Sequence, residues 1–193
     1  TERSGVMASR EYTESLGQKW YDGNTLSVAI GQENSAFTPI QLANYIATLV
    51  NGGTHYSAHL LKSVKSYDYS EVLYEREPEV LDTIEIAPEN LNAVLEGMRL
   101  VAAEGGTTYR FFKDLPVTVG AKTGSAQVSS TTESNAVFVC FAPYEDPEIA
   151  LAVVVEKGGS GMELAAIAAD VLEYYFSTGT GLEAAAKENT LLR

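Results

Sequence analysis

The sequence predicts an α+β fold in which helices cover an antiparallel sheet, and three observations carry that expectation. Two apolar-faced segments, 38–50 and 88–103, bear helix start and stop signals. Three strand-like runs follow at 117–128, 136–142 and 149–156, and the last two are parted by Pro143-Tyr144-Glu145-Asp146-Pro147, short enough for an antiparallel hairpin. A further apolar-faced segment, 161–176, comes after the strands and has a stripe able to cover their sheet.

In chain order, the first two dozen residues are polar, with glycines at 5, 17 and 23. They read as an ordered loop turning at Asp22-Gly23, with Trp20 capping the core. Leu26-Ser27-Val28-Ala29-Ile30-Gly31-Gln32 is a short apolar segment. Thr38 as N-cap, Pro39 at the first helical position and Gln41 as the reciprocal partner of Thr38 start the first helix. Its apolar face is Ile40, Leu42, Ala43, Ile46, Ala47, Leu49 and Val50, and Asn51-Gly52-Gly53 stops it.

From 54 to 86, apolar and polar residues alternate through Tyr56, Leu60, Leu61 and Val64 and again through Val72, Leu73 and Tyr74, the pattern of a β-hairpin or ribbon. Pro88 opens the second helix, with Leu91, Val94, Leu95, Met98, Val101 and Ala102 on one face and Gly105-Gly106 at its end. The stripe of the last helix is Leu164, Ile167, Ala168, Val171, Leu172 and Tyr175. Residues 1–176 form the domain portion. The tail 177–193, with glycines at 179 and 181 before an alanine-rich stretch, reads as frayed or a marginal helix.

Composition narrows the function classes. The 193 residues suit one domain, and a hydrophobic content of 45% is enough for a sizeable core. A net charge of −13 disfavours nucleic acid and anionic membrane surfaces as partners. Cys140 is the single cysteine, so no internal disulfide forms, and it reads as a small buried hydrophobe. No run reaches the roughly eighteen apolar residues of a membrane span, and the polar start does not read as a signal peptide.

The stretch Gly120-Ala121-Lys122-Thr123-Gly124-Ser125-Ala126-Gln127-Val128 carries the chemistry. Lys122 supplies positive charge, Thr123 and Ser125 are two apart and share one side of a strand, and Gly124 leaves the backbone bare. That combination suits a bound carboxylate. Lys122 and Ser125 are an odd number apart and point to opposite faces, which argues against Ser125 as a nucleophile activated by Lys122. His55 and His59 are four apart, but in an extended segment without an evident third ligand, so no metal site is expected. The acidic clusters 75–79 and 145–148 read as solvated loops, and no glycine follows the phosphate-loop pattern.

Several short blocks, in order and spacing, resemble the transpeptidase domain of class B penicillin-binding proteins over residues 20–176. They are Trp20-Tyr21-Asp22-Gly23-Asn24-Thr25-Leu26, Ala29-Ile30-Gly31-Gln32, Thr38-Pro39-Ile40-Gln41-Leu42-Ala43 and Asn51-Gly52-Gly53. Gly105-Gly106-Thr107, Lys122-Thr123-Gly124-Ser125-Ala126-Gln127, Phe138-Val139-Cys140-Phe141-Ala142-Pro143 and Glu156-Lys157-Gly158-Gly159 continue the series.

The resemblance implies a serine acyltransferase that cross-links peptidoglycan stem peptides and is acylated by β-lactams, with no cofactor, at the extracytoplasmic face of the bacterial membrane. It implies that Lys122 favours the substrate carboxylate and the oxyanion, and that Thr123, Gly124 and Ser125 bind substrate through hydroxyls and bare backbone. The Ser125 backbone N–H would be one oxyanion-hole donor. The family pattern also requires Ser-x-x-Lys and Ser-x-Asn upstream, and no serine of this chain opens either motif.

The expected reading is therefore the C-terminal portion of a D,D-transpeptidase domain, silent alone. Its expected partners are stem peptide and β-lactams in the intact enzyme and the upstream part of its own chain, with a homodimer through the apolar face that the missing upstream helix leaves uncovered. The alternative is a β-lactam sensor or a serine-less peptide-binding module.

Overall fold

The structure, a computed structural model, describes residues 3–128 and 131–177. In chain order its elements are α1 (Arg10–Ser15), α2 (Asp22–Ala29), α3 (Pro39–Val50), β1 (Thr54–Tyr56), β2 (Ser63–Lys65), β3 (Val72–Glu75) and β4 (Val80–Thr83). Then follow α4 (Pro88–Ala102), α5 (Tyr109–Phe112), β5 (Gly120–Ala126), β6 (Asn135–Ala142), β7 (Ile149–Val155) and α6 (Leu164–Ser177). Of the expected frayed tail 177–193, Ser177 is the last residue of α6 and the remainder lies outside the described residues.

The centre is a three-stranded antiparallel sheet in the order β5-β6-β7. Pairing runs without interruption from Gly120 opposite Phe141 to Ala126 opposite Asn135, and from Ala136 opposite Val155 to Ala142 opposite Ile149. Side chains alternate across a strand, so β6, apolar at nearly every position, feeds two cores. Ala121, Phe138, Cys140 and Ala142 share one buried cluster with Phe112 of α5 and with Leu164, Ala165, Ala168 and Leu172 of α6. Phe141 and Val139 share the other with Ile46 of α3 and with Leu95 and Met98 of α4. Helices thus cover both faces, the α+β arrangement that the sequence predicts.

The helix starts show how local chemistry sets the elements. Thr38 Oγ1 accepts from the Gln41 N–H at 3.4 Å, and Gln41 Oε1 accepts from the Thr38 N–H at 2.9 Å, which closes the expected capping box. A cap of this kind contributes about 1 kcal/mol. Gln41 Nε2 also donates to the Arg3 carbonyl at 2.9 Å, and Val6 and Ala36 exchange backbone hydrogen bonds of 2.7 and 2.9 Å, so the first residues are tied to the start of α3. Residues 54–83 form two nested antiparallel pairs, β1 with β4 outside and β2 with β3 inside, which specifies the expected ribbon.

Three expectations need correction. Asp22-Gly23 is the first turn of α2, not a loop turn: Asp22 favours the positive helix start, and Asn24 Oδ1 accepts from the Tyr21 N–H at 2.7 Å. Trp20 does not cap the core; it is half-buried, its Nε1 donates to Thr25 Oγ1 at 3.3 Å, and it belongs to neither cluster. The buried stripes are also narrower than periodicity implies. Val94, Ile167 and Val171 are 51%, 47% and 41% exposed, because α6 lies close on the sheet through fully buried Ala165 and Ala168, while α4 is buried at Met98 and Ala102.

Candidate functional site

Strand β5 is an edge strand: β6 takes one side, and no strand takes the other among the described residues. The expected site residues all lie on it. Thr123 and Ser125 follow the row of Ala121, on the α6 side of the sheet, and Lys122 and Gly124 follow the opposite row, as the period-two expectation requires. Lys122 and Ser125 are exposed, while Thr123 and Gly124 are half-buried.

The free edge brings these groups together although their side chains leave opposite faces. The long stem of Lys122 returns its ammonium to the edge, where Nζ donates to the Thr123 carbonyl at 2.5 Å. From the loop after α2, Gln32 Nε2 donates to the Ser125 carbonyl at 3.1 Å. Both carbonyls therefore point away from β6. In an antiparallel strand the N–H and C=O of one residue point to the same side, so the Ser125 N–H also faces the open edge. Among the described residues Lys122 forms no ion pair with a carboxylate. An uncompensated ammonium, two hydroxyls and an outward backbone N–H make an anion-binding edge.

What positions this edge is its pairing. All seven residues of β5 pair with β6, whose Phe138 and Cys140 are fully buried, so the strand is held from one side by the core while the other side stays open. A side-chain carbon at Gly124 would meet only Val137, at 3.5 Å or more, so on the Lys122 face of the strand this position is not closely packed. A cavity of about 780 Å³ lies elsewhere, between Arg3, Phe37, Tyr45, His55, Leu81 and Ile84, and none of the β5 residues lines it. The chemistry of the strand edge, not cavity size, identifies the candidate site, because that cavity holds no convergent set of polar groups around a lysine.

His55 lies in β1, half-buried, and His59 is exposed beyond the strand, so the pair sits on extended chain and not on one helix face. Among the described residues no cluster of histidine, cysteine and carboxylate side chains has the arrangement of a metal site. The acidic segment 145–148 contains one engaged carboxylate, Glu145, which accepts a short hydrogen bond from Thr118 Oγ1. That bond holds the Glu145 carboxyl below the usual glutamate range. Gln32 is the residue at this edge to which motif reading assigned no role; its partner lies 93 positions away, and no local pattern marks the contact.

The profile of the penicillin binding protein transpeptidase domain matches residues 2–173. The peptidoglycan D,D-transpeptidase MrdA of Salmonella typhimurium strain SL1344 is 32% identical over 192 residues, covering 91% of this chain and 31% of that protein. The solved structure of Pseudomonas aeruginosa PBP2 in complex with WCK 5153 superposes with a TM-score of 0.71 at 33% identity, covering 93% of this chain and 40% of that one. Penicillin-binding protein A of M. tuberculosis, solved as an imipenem acyl-enzyme, gives a TM-score of 0.60 at 29% identity over 75% of this chain and 33% of that one. The chain thus spans about a third of the length of the curated relatives it matches.

Proposed function

The chain belongs to the penicillin-binding-protein transpeptidase family, and from that premise we propose that it supplies the Lys-Thr-Gly strand of a peptidoglycan D,D-transpeptidase. The single observation that carries the proposal is the open edge of β5, where Lys122 Nζ and the outward backbone of Thr123 and Ser125 meet without a competing carboxylate among the described residues. In this reading the Lys122 ammonium and the Thr123 and Ser125 hydroxyls receive the carboxylate of a stem peptide or a β-lactam. The Ser125 N–H donates to the carbonyl oxygen as it becomes an oxyanion. Gly124 leaves the strand accessible to the bound peptide backbone.

Residues 1–176 then form the C-terminal portion of the transpeptidase domain, acting at the extracytoplasmic face of the membrane. Among the described residues, no helix is long and apolar enough to cross a membrane. The nucleophile comes from sequence outside these 193 residues, since no serine here has a lysine three positions on. With it goes the second oxyanion donor, and a tetrahedral intermediate lacking one donor loses about 3 kcal/mol. The chain alone is therefore catalytically silent.

Labelling with a fluorescent penicillin tests this. The 193-residue chain should form no covalent adduct, whereas the full-length gene product should be acylated, and Lys122→Ala in that product should remove most of the labelling. Mass spectrometry showing an acyl group on Ser125 of the chain alone overturns the proposal. The missing Ser-x-x-Lys also supports a second reading, a β-lactam sensor or serine-less peptide-binding module, and a full-length product without that motif would select the serine-less module.

A further inference from the structure

We infer that Gln32 is a positioning residue for the Ser125 backbone: its side-chain amide clamps the Ser125 carbonyl and so aims the Ser125 N–H into the open edge of β5. The inference rests on the proposed role of that edge. Gln32 Nε2 donates to Ser125 O at 3.1 Å, across 93 residues of sequence. The backbone of Gln32 is itself held, because its N–H donates to the Ser27 carbonyl at 3.0 Å at the end of α2. The residues on either side lie in the left-handed region, Gly31 at φ 80° and Glu33 at φ 72°. For Glu33, which carries a side chain, that conformation is uncommon and costs free energy, so the loop is bent at some expense to present Gln32 where it stands.

The consequence follows from peptide geometry. On β5 the Ser125 N–H and C=O share one side, and β6 holds only the groups on the other side. Without Gln32 the Ser125 carbonyl would have no protein partner at the open edge among the described residues, and the adjoining peptide planes would be free to rock. An oxyanion donor loses its value when its direction drifts by more than about 10–20°. A carbonyl has two lone pairs, so the Gln32 contact leaves one for a peptide ligand.

The test uses the isotope-labelled chain titrated with N-acetyl-D-alanyl-D-alanine and followed by the backbone amide signals of β5. Four proteins are compared: unaltered, Gln32→Ala, Gln32→Met, which keeps the length and removes the donor, and Lys122→Ala. In the unaltered chain the ligand should move the Ser125 amide proton downfield in a saturable way. Gln32→Met and Gln32→Ala should abolish most of that Ser125 movement and weaken binding about fivefold, the effect of one hydrogen bond. The carboxylate-dependent changes at Lys122 and Thr123 should persist, a pattern that a general loss of structure does not produce.

Unchanged affinity and an unchanged Ser125 response in both Gln32 variants overturn the inference and leave the site reading intact. Collapse of the amide signals of β6 in both variants assigns Gln32 to folding and also overturns it. Lys122→Ala binding as well as the unaltered chain, or no response anywhere on β5, overturns the site reading and the inference together.

Discussion

Gly161 lies directly over the backbone of Gly124: a side-chain carbon at Gly161 would run into the carbonyl oxygens of Gly124 and of Val137 opposite it. The segment entering α6 thus touches the sheet at the very residue pair that holds the motif strand in register.

Gly161→Ala should therefore destabilise the chain by about 1–3 kcal/mol, because backbone on both sides must shift to admit the methyl group. Gly124→Ala should cost far less, since the nearest atoms to a carbon there are Val137 Cβ at 3.5 Å and its carbonyl at 3.7 Å, ordinary contacts. Urea denaturation of the two variants checks this. Equal midpoints would show that the contact between α6 and the sheet is looser than its geometry implies.

Cys140 is fully buried in the α6-side cluster, and burial pushes its thiol up to about 12. Only the thiolate reacts, so iodoacetamide at pH 8 should leave the native chain unmodified and alkylate it fully in denaturant. Native-state labelling at the rate of a free thiol would mean that the core opens far more often than its packing suggests.

Asp68 sits in the turn between β2 and β3, where its carboxylate accepts from Ser66 Oγ at 2.7 Å, from Ser70 Oγ at 2.8 Å and from the Ser70 N–H at 3.2 Å. The Ser66 hydroxyl first, and then the hydroxyl and backbone N–H of Ser70, hold its carboxyl down to about 2. The sign follows: a depressed carboxyl contributes stability above its unfolded value, and that contribution is lost as pH falls through about 2. Carboxyl-detected NMR titration should find this midpoint, and Ser66→Ala should raise it toward the free aspartate value of about 3.9. A titration unmoved by the substitution would remove Ser66 as its cause.

Helix α2 buries none of its residues, and Leu26 and Ile30, one turn apart, are 74% and 77% exposed. An apolar surface of this kind finds a partner. The chain alone should self-associate through this face, with the net charge of −13 limiting growth beyond small assemblies. Leu26→Ser combined with Ile30→Ser should shift light scattering toward the monomer. A strictly monomeric unaltered chain that binds no apolar dye would show that this surface needs no cover.

By itself the sequence determined what short-range chemistry decides. The Thr38–Gln41 capping box, the Pro88 start, the Pro143–Pro147 connection and the alternation that separates Lys122 from Thr123 and Ser125 each depend on residues within a few positions, so they were legible as written. The motif strand was legible too, because its residue types state their own chemistry. Tertiary structure alone decided that β5 is an edge strand, since strand order depends on which chains meet and not on any one of them. It decided which part of each apolar stripe is buried, turning Ile167 and Val171 outward once Ala165 and Ala168 allowed α6 close to the sheet. It also brought Gln32 to Ser125 across 93 residues, a contact between one flexible amide and one carbonyl that periodicity and composition do not encode.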